Sequence, residues 1–134
     1  MNQRILKIIM AVLVLMAVSL ACEFSASTAK INSATIALDN EGAQPTTTFA
    51  PSDTFYCIVD LQNAPDDTVV KAAWTAVDVA DTEANTAIDE TELTSGSGTL
   101  HFELSNDNAW PAGTYKVDLY INDKLAQTVE FNVQ

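Results

Sequence analysis

From Ile31 to the C-terminus, apolar residues recur at every second position in short runs, and turn-forming residues break the runs apart. Period two places one row of side chains on each face of an extended chain, so these runs predict half-buried strands. Seven follow in order. The first covers Ile31–Leu38, with Ile31, Ile36 and Leu38 as its apolar residues. The second is Thr54–Leu61, with Phe55, Cys57, Val59 and Leu61 on one face. The third is Thr68–Val79, where Val70, Ala72, Trp74 and Ala76 share one face and Val69, Lys71 and Thr75 the other. A short fourth lies near Ala87–Leu93. The fifth, Thr99–Ser105, turns Leu100, Phe102 and Leu104 inward and His101 and Glu103 outward. The sixth, Thr114–Ile121, has Tyr115, Val117, Leu119 and Ile121 on one side and Lys116, Asp118 and Tyr120 on the other. The seventh, Leu125–Val133, faces inward with Val129, Phe131 and Val133.

The breaks carry their own chemistry. Gly42, Pro45 and Pro51 punctuate the first gap and Pro65 fixes the second. The run from Asn122 to Lys124 predicts a tight hairpin, because Asn and Asp tolerate positive φ. Strands with no helical period between them give an all-β chain, and seven at this spacing predict a two-sheet sandwich over residues 31–134.

The N-terminus breaks the pattern. Arg4 and Lys7 precede an uncharged apolar run from Ile8 to Ala21, the arrangement of an export signal, for which a signal or anchor helix is expected. That run is short for a span of about 20 residues. Ser19, Leu20 and Ala21 then lead to Cys22. The stretch resembles the lipobox of bacterial lipoproteins, although Leu20 and Ser19 are swapped against the commonest pattern.

The resemblance implies cleavage before Cys22, lipidation of its thiol and a multi-chain membrane anchor. It divides the chain into a signal peptide (1–21), a lipidated cysteine with a polar tether (22–30) and a domain (31–134). Glu23 after the cysteine resembles an outer-membrane address in cells that have one. An ordinary cleaved signal and an uncleaved anchor are the alternatives. All three place the domain outside the cytoplasm, and the lipid-anchored reading holds it at the cell membrane or outer membrane.

Charge narrows the partners. All eighteen acidic residues lie after Cys22, against four lysines and no arginine, which leaves −14 for residues 22–134. That excludes nucleic-acid recognition by a basic patch and disfavours direct adhesion to anionic headgroups. With Cys22 lipidated, Cys57 has no partner for an internal disulfide, and its apolar run makes it a buried core residue.

Cys57 on the second strand and Trp74 on the third stand where immunoglobulin-like domains carry a core cysteine and tryptophan. Gly113, Tyr115 and Val117 resemble a tyrosine corner, with Val117 where antibody-type domains place the second cysteine. The segment Trp110–Val133 also resembles the closing hairpin of bacterial extracytoplasmic Ig-like modules. The resemblance implies an immunoglobulin-like sandwich closed by packing alone, and a shared fold carries no activity with it.

Three chemistries are candidates. Asp78, Asp81, Glu83 and Asp107 lie in acidic inter-strand loops that could supply oxygen ligands to calcium, although the EF-hand spacing is missing. Apart from that ion and the lipid, no cofactor is expected. Trp110 before Pro111 and Tyr120 on an outward position could grip a protein or glycan. The lone histidine, His101, and Cys57 fall on different strands and suggest no catalytic set. The sequence therefore reads as a lipid-anchored, non-enzymatic envelope module that binds a protein or glycan, with a calcium-dependent version as the alternative.

Overall fold

The structure, a computed structural model, describes residues 28–134. Eight strands follow one another: β1 (Lys30–Ala37), β2 (Thr48–Phe49), β3 (Phe55–Gln62), β4 (Thr68–Val79), β5 (Thr86–Ser95), β6 (Gly98–Leu104), β7 (Gly113–Ile121) and β8 (Lys124–Val133). They form a three-stranded sheet, β1-β3-β6, and a five-stranded sheet, β2-β8-β7-β4-β5. The domain is an all-β, immunoglobulin-like sandwich. The signal segment, Cys22 and residues 23–27 lie outside the described residues.

The expected alternation builds the core. Phe55, Cys57, Val59 and Leu61 of β3 are buried, as are Val70, Ala72, Trp74 and Ala76 of β4 and Leu100, Phe102 and Leu104 of β6. Register keeps the inward rows together: Cys57 pairs with Phe102, and Val117 pairs with both Trp74 and Val129. Cys57 and Val117, on opposite sheets, are both fully buried, and Cys57 is a free thiol. Tyr115 donates to the carbonyl of Pro111 at 2.6 Å, which is the tyrosine corner. Asn122 and Asp123 take φ of 47° and 68° between paired Ile121 and Lys124, the two positive values that a type I′ hairpin needs.

Three expectations are corrected. The sandwich has eight strands, because Thr48–Phe49 runs parallel to Asn132–Val133. Phe49 is buried there, edge-on to Phe55 and Phe131 at 4.8 and 5.4 Å between ring centres. Leu38, expected to end the first strand, lies just beyond β1 and is exposed. Asp118 points outward by alternation yet is buried, because Thr128 donates to it at 2.6 Å and Lys116 lies 3.3 Å away. At the start of the described residues, Thr28 donates to the carbonyl of Asn63 at 3.1 Å, and β1 begins at Lys30.

The strands give the domain two unlike poles. Thr28, the β3–β4 turn at Asn63 and the Asn122–Asp123 hairpin share one pole, since Asn122 and Val69 exchange two hydrogen bonds at 2.8 and 3.0 Å. The β4–β5 connection and the loop between β6 and β7 close the other. The twelve residues of β4 separate them, roughly 35–40 Å of extended chain.

Candidate functional site

The pole opposite Thr28 holds a pocket of about 150 Å³. Its floor and walls come from distant parts of the chain. Ala76 and Val79 end β4, Ile88 stands near the start of β5, and Trp110, Pro111 and Tyr115 come from the loop before β7 and its first turn inward. Thr82, Thr86 and Asn106 add polar groups.

Trp110 is the wall that sequence places least well. It is 7% exposed, stacked on Phe55 at 4.7 Å, with its indole N–H donating to the carbonyl of Asp53 at 2.9 Å. Its backbone N–H also donates to Pro51 at 2.8 Å. Trp110 therefore covers the end of the core and lines the pocket rather than standing out from the surface. Its ring belongs to an aromatic cluster of Phe49, Phe55, Trp74, Tyr115 and Phe131, because an amphipathic ring next to an unpaired carbonyl gains more by burial than by exposure. Burial also pushes the Tyr115 phenol above its ordinary 10.0.

The polar groups are largely committed to the protein. Thr86 donates to the carbonyl of Glu83 at 2.7 Å, Thr82 to that of Ala80 at 3.4 Å, and Asn106 accepts from the Asn108 amide at 3.3 Å. A sugar needs several free donors and acceptors around its ring, whereas this lining offers apolar surface and few unspent hydroxyls. The pocket suits one apolar side chain.

The candidate calcium residues lie around it. Asp78, Asp81, Glu83 and Asp107 are each next in sequence to a pocket residue, and all four are exposed. They do not converge: among the described residues no three His, Cys, Asp or Glu side chains form a group able to hold a metal ion. Asp78, at the end of β4, and Asp81, Glu83 and Asp107, in the loops, form an acidic collar around the pocket mouth, each carboxylate exposed to solvent.

Tyr120 lies elsewhere. It is half-buried on the outer face of β7, five residues and about 17 Å from Tyr115. The Lys71 ammonium sits 4.7 Å from its ring centre, which occupies one face of the ring. The structure does not bring Tyr120 and Trp110 into one site.

Cys57 and His101 are also apart. Cys57 faces the core and burial pushes its thiol up to about 12, far from a reactive thiolate. His101 is exposed and its Nδ1 donates to the carbonyl of Asn40 at 2.7 Å. That bond and Asp39 hold the loop after β1. The Asp39 carboxylate accepts the amides of Ala43, Gln44 and Glu41, which keeps it below its ordinary 3.8.

A second, larger concavity of about 440 Å³ lies between β1 and β8. Ala34, Ile36, Pro45 and Val129 line it with threonines, and it carries neither an aromatic ring nor a charge.

No family model matches this chain, and no curated protein matches it. Solved structures do. An immunoglobulin-like protein from Pseudomonas aeruginosa is 14% identical, with 82% of this chain and 99% of that one covered and a TM-score of 0.54. The alkylpurine DNA glycosylase AlkC of Pseudomonas fluorescens, solved on DNA with an abasic-site analogue, is 15% identical at a TM-score of 0.54. The match covers 81% of this chain but only 31% of the glycosylase. At this identity the likeness is one of fold alone.

Proposed function

We propose that the protein is a lipid-anchored module of the bacterial cell envelope that binds another protein without catalysis. The lipobox-like stretch ending at Cys22 supports the anchor, and the polar residues after it support a spacer between membrane and domain. The observation that carries the binding reading is the position of the apolar pocket. It opens at the pole opposite Thr28, away from the end at which the polar segment joins the domain.

An apolar anchor side chain from the partner enters between Trp110 and Ile88, and the carboxylates of Asp81, Glu83 and Asp107 face basic residues beside it. A single buried side chain of leucine size contributes about 1.5–3 kcal/mol, so the pocket sets specificity within a larger contact. The spent hydroxyls favour a protein over a glycan.

Two measurements test this reading. Intact mass of the protein from native membranes, beside Cys22→Ala, tests the anchor: a chain starting at Cys22 with acyl groups is expected. Recovery of partners from those membranes by cross-linking, with and without Ile88→Trp to fill the pocket, tests the binding pole. A partner captured equally well by the filled pocket refutes it.

A further inference from the structure

Four strand edges bound the two sheets, and they are not equivalent. The outer edge of β1 is covered near Ile36–Leu38, where Thr46 and Leu38 exchange backbone bonds with Ile36 and Gln44 at 3.0 Å each. The edge of β8 carries the two-residue β2 only at Asn132 and Val133, and no residue of β8 lines the apolar pocket. β6 is seven residues long. β5 is ten residues long, contains no proline and pairs with β4 alone. One full row of its backbone N–H and C=O groups therefore faces outward with no strand beside it, a ready template for another chain.

Two features of β5 decide what that chain is. The first is position: Thr86 and Ile88, in its first half, line the pocket, so a strand laid on this edge reaches the pocket with its end. The second is charge. Asp89, Glu90 and Glu92 are exposed on β5, Asp81 and Glu83 precede it, and no lysine or arginine occurs between Lys71 and Lys116. None of the three β5 carboxylates has an ion-pair partner among the described residues. Acids on an edge repel a second copy of the same edge, yet they admit a strand of the opposite sign.

We infer that the β5 edge and the adjoining pocket form one docking surface for a basic, extended segment of a partner protein. The segment adds as a sixth strand beside β5, its lysines or arginines face Glu90 and Glu92 on the outer face, and an apolar residue at its end turns to the inner face and fills the pocket. Main-chain bonds supply affinity, and the anchor and the charges supply register. The bulge near Asp89, where Asp89 Oδ1 accepts the Glu90 amide at 2.9 Å, confines the pairing to the segments on either side of it. This inference rests on the pocket reading above and adds the edge to it.

The test uses the full chain and an amidated octapeptide of alternating lysine and threonine with leucine at one end, made in both orders. Binding is followed by fluorescence anisotropy of the labelled peptide and by amide hydrogen exchange of the protein. One order is expected to bind, to weaken at 0.5 M salt, and to slow exchange within Thr86–Ser95. Leucine→alanine in the peptide is expected to weaken it about tenfold, as is the Glu90→Lys, Glu92→Lys double variant, since each removes one of the two recognition elements.

Binding that needs the leucine but ignores the charge reversal and protects no β5 amide overturns the edge inference while leaving the pocket reading intact. No binding of either order at millimolar peptide overturns both. Protection of β5 that grows with protein concentration in the absence of peptide assigns the edge to a second copy, and also overturns the inference.

Discussion

Trp74 and Trp110 undergo the same substitution with opposite polar consequences. Trp74 is 1% exposed and its indole Nε1 is buried with no hydrogen-bond partner. Trp110 is 7% exposed and its Nε1 donates to Asp53 at 2.9 Å. Trp→Phe deletes a net two ring carbons and the nitrogen at either site, and the lost apolar burial costs about 1.5 kcal/mol. At Trp74 the substitution also removes an unsatisfied buried donor, which returns about 1–3 kcal/mol. The two nearly cancel, so Trp74→Phe changes stability by about 1 kcal/mol or less.

At Trp110 nothing is returned. The lost hydrogen bond adds about 1 kcal/mol to the packing loss, giving about 2.5 kcal/mol in total. For a domain of this size a difference of about 2 kcal/mol separates the two melting temperatures by roughly 10 °C. The assay is urea and thermal unfolding of both variants by far-UV circular dichroism, which reports the sheets rather than the tryptophans. The more buried tryptophan is expected to be the more replaceable. If Trp74→Phe destabilises as much as Trp110→Phe, the orphan-donor argument is wrong and ring volume alone governs this core.

Three further outcomes are expected. The Cys57 thiol, raised to about 12 by burial, ionises at about 9.0 in the unfolded chain; the unfolded state binds fewer protons between those values, so stability falls as pH rises from about 9 towards 12, and Cys57→Ala is expected to flatten that alkaline slope. Asp39, held below 3.8 by the Ala43, Gln44 and Glu41 amides, stabilises its loop above the unfolded value and loses that contribution as pH falls through the folded one. Asp39→Asn is expected to speed amide exchange at Ala43 and Gln44 at pH 7, and unchanged exchange would show that the carboxylate is not what holds the loop. Gly113 has φ of 150°, and a Cβ there would run into the Asp78 carbonyl and lie 2.8 Å from Val79 Cα. Gly113→Ala is expected to cost at least about 2 kcal/mol and to distort the pocket, read as a lower urea midpoint and altered Trp110 fluorescence, because backbone rather than a movable side chain stands in the way.

Much of this domain is a local property of its chain. Alternation needs only near neighbours, so the inward rows of β3, β4, β6 and β7 can be read residue by residue. The Asn122–Asp123 hairpin and the Tyr115 corner are likewise encoded within a few residues. The acidic sign of the surface follows from composition alone. What sequence could not decide depends on contacts between residues far apart.

β2 is two residues between prolines, and it exists only because β8 lies beside it. Trp110 reads as a loop aromatic until Phe55 and the Asp53 carbonyl, more than fifty positions away, enclose it. Asp78, Asp81, Glu83 and Asp107 look like ligands on paper, yet the end of β4 and the loops that carry them spread them around a pocket instead of focusing them on one point. The traces of that pocket in the sequence were Trp110 before Pro111 and Ile88, an isolated apolar residue in an acidic strand. That the pocket opens at the pole opposite Thr28, beside an uncovered edge, follows from strand order. Pairing across long loops is selected by the packing of the whole core, and no local period reports it.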